Sequence, residues 1–187
     1  MGYDKELLAR LLDRKLWWED NIANKESLNR LYLQIAKDIK DNSISGKIAL
    51  IMLQHQLFHE LLKELISISI FYLQCEIWPT KYEPIYDKRE EKTTGWYIDY
   101  FENYCIDCSG KLELIKTIKN INRIRNKVAH NLIGKNELII NRSYSEFINY
   151  SNLFLDELNQ CARDINMKLE DLGKRMDLES LISSINE

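Results

Sequence analysis

The residues best equipped for chemistry run from Arg123 to Asn131, Arg-Ile-Arg-Asn-Lys-Val-Ala-His-Asn. On a helix turning about 100° per residue, an apolar line joins Leu114, Ile118, Ile121, Val128 and Leu132. Its wide gap falls on Arg125. A permanently charged guanidinium thus takes a place that the pattern reserves for an apolar side chain, and it must find a partner, an interface or a polar pocket. Lys119, Arg123, Asn126 and His130 form a separate polar line on the same helix. Asn126 and His130 are one turn apart and within reach of each other; Arg125 and His130 flank a common groove. An imidazole accepts or gives a proton near neutrality, and a guanidinium presents a fork of donors that matches phosphate. Between Lys111 and Lys135 seven basic residues stand against Glu113 alone, on a chain whose net charge is -3. Such a concentrated basic patch suits a polyanion such as RNA.

Arg125-Asn126-Lys127-Val128-Ala129-His130 resembles the R-x4-H motif of the HEPN superfamily (higher eukaryotes and prokaryotes nucleotide-binding domains), and Asn126 matches the polar residue that typically follows the Arg in its ribonuclease members. The resemblance covers six residues, set late on a helix with a further long helix after it. It implies a metal-independent endoribonuclease needing no cofactor, in which two protomers bring their motifs together in a symmetric dimer. Such domains serve as toxins or effectors in prokaryotic toxin–antitoxin, abortive-infection and phage-defence systems, so an antitoxin or defence partner protein is implied as well. Cleaving RNA without a metal needs a base for the 2'-hydroxyl and a cation for the charge developing on phosphate. The expected catalytic set is Arg125 on phosphate, His130 as base or acid, and Asn126 orienting His130 or binding a phosphate oxygen. Lys119, Asn122, Arg123 and Lys127 are the expected RNA-binding residues. Members neutralised by a nucleotidyltransferase carry a modified Tyr two residues past the His. Here Asn131 and Leu132 follow His130, so that mode of control is not expected. Two other readings stay open: a non-catalytic HEPN-like dimer binding RNA, nucleotide or a protein, and a helical interaction protein unrelated to RNA.

Other reactive residues read as structural. His55 and His59, with the Cys105-x-x-Cys108 pair, make four conceivable zinc ligands. However, Glu60 follows the second His, so this is not the H-E-x-x-H pattern of zinc enzymes, and no metal is expected. Trp17, Trp18, Trp78, Trp96, Tyr97, Tyr100, Phe101 and Tyr104 read as core and interface.

The elements that must position the motif are helical. With 187 residues the chain suits one domain. Six Gly and two Pro exclude a turn-rich sandwich or barrel, and 45% hydrophobic with 29% charged residues excludes a disordered chain. Apolar periodicity predicts helices over Asp4–Asn21, from Asn24 to about Asp41, over Lys47–Trp78 with apolar residues on two faces, over Trp96–Tyr104, over Lys111–Ile133 ending at Gly134, and from a capping box at Ser143-Tyr144-Ser145-Glu146 onward. Glu137–Ile140 reads as a short extended arm, residues 79–95 as an exposed loop, and the tail after Gly173 as either a further helical turn or two or a frayed end. The expectation is an all-α HEPN-like bundle of about five main helices over residues 1–187. Four scattered Cys imply a reducing setting. The charged start lacks the plan of a signal peptide, and the apolar run from Leu65 to Cys75 is about half a membrane span. Together these point to a cytoplasmic protein.

Overall fold

The structure, a computed structural model, describes residues 3–13, 17, 30, 33, 34, 37, 43–84, 92–131 and 137–176. Among these residues five helices have defined bounds and there is no strand: α1 (Tyr3–Leu12), α2 (Ile44–Glu76), α3 (Thr94–Tyr104), α4 (Lys111–Asn131) and α5 (Glu137–Arg175). The chain is all-α, and no helix among the described residues is long and apolar enough to cross a membrane.

The long helix α2 is the central one. Ser43 opens it, its side chain accepting from Gly46 N at 3.2 Å, as an N-cap does. From Leu62 to Phe71 nearly every side chain is buried, including the polar Glu64, Ser67 and Ser69, because neighbours cover the helix on several sides. Phe58 meets Phe154 of α5 at 4.3 Å and Phe147 at 6.4 Å between ring centroids. Each such aromatic contributes on the order of 1.5–3 kcal/mol by burial. Helix α5 packs chiefly on α4 and α2, and α3 bridges α2 and α4.

Several boundaries differ from the pattern reading. Helix α1 stops at Leu12, not Asn21. Trp17 is buried instead of continuing the helix, and Arg10 donates to its carbonyl at 3.1 Å while stacking over Phe71 at 4.5 Å. The predicted arm at Glu137–Ile140 is the first turn of α5. Ser143 is no cap. It lies inside α5, fully buried, on the stripe Ile140, Ser143, Phe147, Ser151, Phe154. Continuous burial along that stripe outweighs the local capping signal. Of the helix expected from Asn24, Arg30, Leu33, Gln34 and Lys37 are helical, and the remainder lies outside the described residues. So do Trp18, Gly134, the middle of the 79–95 loop, and the tail beyond Met176.

The turn between α3 and α4 fixes where α4 begins. Gly110 has φ +84, which suits glycine, and a Cβ there would meet the Gln160 side chain at 3.2 Å. Ser109 N donates to Asp164 Oδ2 at 3.1 Å and Ile106 N to Ser69 Oγ at 2.9 Å. These bonds tie the start of α4 to both α5 and α2.

Candidate functional site

Helix α4 buries Leu114, Ile118, Ile121, Ile124 and Val128. Ile124, not Arg125, fills the gap in the apolar line. The difference follows from the helical repeat: 3.6 residues per turn let either neighbour serve, and the apolar one wins the core. Arg125 lies beside the seam, half-buried. Its Nη1 donates to Asn126 Oδ1 at 3.0 Å. Among the described residues no carboxylate pairs with Arg125.

One turn earlier on α4, Asn122 faces α2. Its Oδ1 accepts from His55 Nε2–H at 3.2 Å, which assigns that proton to Nε2. His55 is 7% exposed. Burial is the main reason its pKa falls to about 4; the Asn122 bond works the other way, and the charges of Arg125 and His59 add to the lowering. The ring is therefore neutral at pH 7. His59, one turn on along α2, sits with Nδ1 2.8 Å from Thr94 Oγ1 at the start of α3. It packs edge to face with Tyr97 at 5.1 Å.

These residues share one cleft. His55, His59, Lys63, Thr94, Asn122, Arg125 and Asn126 line a space of about 490 Å³, together with Glu60 and Lys92, which is within the size of a small-molecule or nucleotide site. Lys63 and Glu60 are ion-paired at 3.1 Å. The walls can bind an anion through Arg125 and move a proton through an imidazole.

The other residues expected from sequence fall differently. His130 is exposed in the last turn of α4 and does not line this cleft. Lys119 is exposed and pairs with Glu102 of α3 at 2.5 Å. Arg123 reaches Asn120 at 3.3 Å and Glu146 of α5 at 4.0 Å. Lys127 is exposed, and its carbonyl accepts from Asn131. The structure thus joins Asn122, Arg125 and Asn126 and leaves Lys119, Arg123, Lys127 and His130 on more open parts of α4. For His55 and His59 the sequence suggests only a conceivable zinc role. Their i, i+4 spacing on the central helix is the available signal; what they face depends on the register between α2 and α4.

The Cys-x-x-Cys pair is elsewhere. Cys105 and Cys108 are buried, and the Cys105 thiol interacts with Ser69, ten residues and about 15 Å of helix beyond His59. The four residues of the conceivable zinc set do not converge.

No family model matches the chain, and no solved structure matches it. The chain is similar to the phosphoserine aminotransferase of Wigglesworthia glossinidia brevipalpis, 28% identical over 112 residues that span 56% of this chain and 30% of that protein. The match spans under a third of that enzyme's length and assigns this chain no activity.

Proposed function

We propose that this chain is a metal-independent endoribonuclease of the HEPN kind, working as a symmetric dimer in which two copies bring their R-x4-H motifs to one scissile phosphate. The carrying observation is the state of Arg125: it opens on a nucleotide-sized cleft, hydrogen-bonded to Asn126, with no carboxylate among the described residues to neutralise it. A guanidinium left uncompensated in a polar cleft suits an incoming phosphate. The all-α bundle and the position of the motif late on α4, before the long α5, support the same reading.

In this mechanism His130 takes the 2'-hydroxyl proton, the 2'-oxygen attacks phosphorus, and Arg125 stabilises the charge on the non-bridging oxygens. Asn126, already bonded to Arg125, holds the fork in place. The products are a 2',3'-cyclic phosphate and a 5'-hydroxyl. Exposure of His130 fits a role completed by a second copy, which would cover it. The biological role that goes with this chemistry is a toxin or effector of a prokaryotic toxin–antitoxin, abortive-infection or phage-defence system.

The test is incubation of purified protein with RNA, comparing wild type with Arg125→Ala and His130→Ala. Loss of a general base typically costs about 10²–10⁴-fold. The expected outcome is cleavage to cyclic-phosphate ends by wild type, a loss of at least about 100-fold in both variants, and a solution mass of twice the chain. Salt-dependent RNA binding without cleavage would identify the non-catalytic module instead.

A further inference from the structure

Breaking a phosphodiester by 2'-oxygen attack moves two protons: one leaves the 2'-hydroxyl, and one must reach the departing 5'-oxygen. The mechanism above gives the first to His130 and leaves the second without a donor. We infer that His59 of α2 is the general acid, a second catalytic residue that works beside Arg125 within the same protomer. The inference rests on the ribonuclease reading and deepens it.

Four observations carry it. First, His59 and Arg125 line the same cleft, from facing helices. Secondly, the His59 ring is oriented before any substrate arrives, by Thr94 Oγ1 at 2.8 Å from Nδ1 and by the edge-to-face Tyr97 ring. With Nδ1 engaged by Thr94, whose hydroxyl can accept or donate there, proton transfer is assigned to Nε2. Thirdly, His55 is unsuited to donating this proton, being buried, committed to Asn122 and held neutral. Its bond instead fixes Asn122 next to Arg125. Fourthly, the surrounding charges are mixed: Glu60 and Lys63 are paired with each other, and Lys92 and Arg125 are further cations among the lining residues. Atoms and protons balance: O2'–P forms, P–O5' breaks, the 2'-hydroxyl proton passes to His130, and a proton from His59 passes to O5'. Solvent then restores both imidazoles.

The test uses full-length protein and two oligoribonucleotides that differ at one atom, the bridging 5'-oxygen or a 5'-sulfur at a single scissile bond. A thiolate leaves without being protonated, so sulfur bypasses a general acid. Single-turnover rates are measured for wild type, His59→Ala, His59→Gln and His130→Ala. The Gln variant keeps an amide within reach of Thr94 should the smaller side chain disturb the fold. Both His59 variants are expected to lose about 100-fold or more on the oxygen substrate and to approach the wild-type rate on the sulfur substrate. His130→Ala is expected to lose rate on both. Equal losses on the two substrates by the His59 variants would overturn the assignment, because a merely structural residue gives no sulfur rescue. His59 variants that match wild type on oxygen would also overturn it, while an inactive His130→Ala keeps the ribonuclease reading standing. Wild-type protein that cleaves neither substrate overturns both.

Discussion

The histidines of α2 and the thiols around the α3–α4 turn make an instructive pair, since each set has residue types that do chemistry and each meets a different environment. His55 and His59 border an open polar cleft with Asn122, Thr94 and Arg125 as neighbours. Cys105, Cys108 and Cys161 are closed over: Cys161 has no exposure at all. Burial pushes the Cys105 thiol up to about 12. Cys161 donates to the Cys108 sulfur, which lowers Cys108 and raises Cys161. Lys111 is itself buried, with Nζ bonded to the Cys105 carbonyl at 2.7 Å and lying over the Phe101 ring at 5.4 Å. The thiols and their lysine hold a turn together and behave as small hydrophobes. Reactivity therefore belongs to the shell around a side chain: a buried Cys-x-x-Cys pair tied to Ser69 and Lys111 anchors a turn, while His59 of the i, i+4 histidine pair borders an open polar cleft.

The largest expected contrast is in activity. Arg125→Ala should lower RNA cleavage by about 10²–10³-fold, the typical cost of removing one donor from a developing oxyanion. Cys108→Ala should leave the rate within about twofold, since no thiol lines the cleft. Cleavage assays on the two variants side by side break the comparison if the order reverses.

Next comes pH. His55 has a folded pKa of about 4 against the ordinary 6.5. Above pH 6.5 the ring is neutral in both states and stability is full. As pH falls below 6.5 the unfolded chain takes up a proton that the folded chain refuses, so stability drops by up to about 1.4 kcal/mol per unit until about pH 4. Urea midpoints at pH 7 and pH 5 should therefore differ in wild type and converge in His55→Gln. Its bond to Cys108 and burial both hold the Cys161 thiol in its protonated form, so Cys161→Ala should keep the wild-type slope. An unchanged slope in His55→Gln would move the acid sensitivity to another group.

Lys111→Met sharpens the comparison from the other side. It keeps the bulk over Phe101 but leaves the Cys105 carbonyl without this donor, at a cost of about 1–3 kcal/mol. Denaturant unfolding should register the loss, with RNA cleavage per folded molecule unchanged.

What could be read from the chain alone follows the same division. The helical class, the central α2 and the helix carrying the motif were legible, because apolar stripes such as Leu114, Ile118, Ile121, Val128 recur over many turns. Short signals misled. Ser143-Tyr144-Ser145-Glu146 has the capping pattern, yet the stripe through Ile140 and Phe147 carries the helix across it. Arg125 fits the seam on spacing alone, but Ile124, one position away, serves as well on a 3.6-residue repeat. The motif Arg125-Asn126 was visible as a line of residues. Its neighbour His59 was not, because pairing α2 with α4 in register is decided by packing over the whole bundle rather than by either segment.

The smallest effects belong to the exposed basic residues of α4, and they separate a lysine's role by depth. Lys119 and Arg123 pair with Glu102 and Glu146 while remaining 47% and 65% exposed. Exposed pairs of this kind contribute about 0–1 kcal/mol, so Lys119→Ala and Arg123→Ala should barely move the unfolding midpoint, unlike Lys111→Met on the same helix. Their effect should surface in RNA binding. If each cation exchanges its carboxylate for a phosphate, each substitution lowers the slope of log affinity against log salt by about 0.7 for single-stranded RNA. Binding isotherms at several salt concentrations measure that slope directly. A variant with the wild-type slope would show that its residue keeps its glutamate when RNA is bound, and would confine the RNA path to the cleft side of α4, where Asn122, Arg125 and Asn126 already stand together.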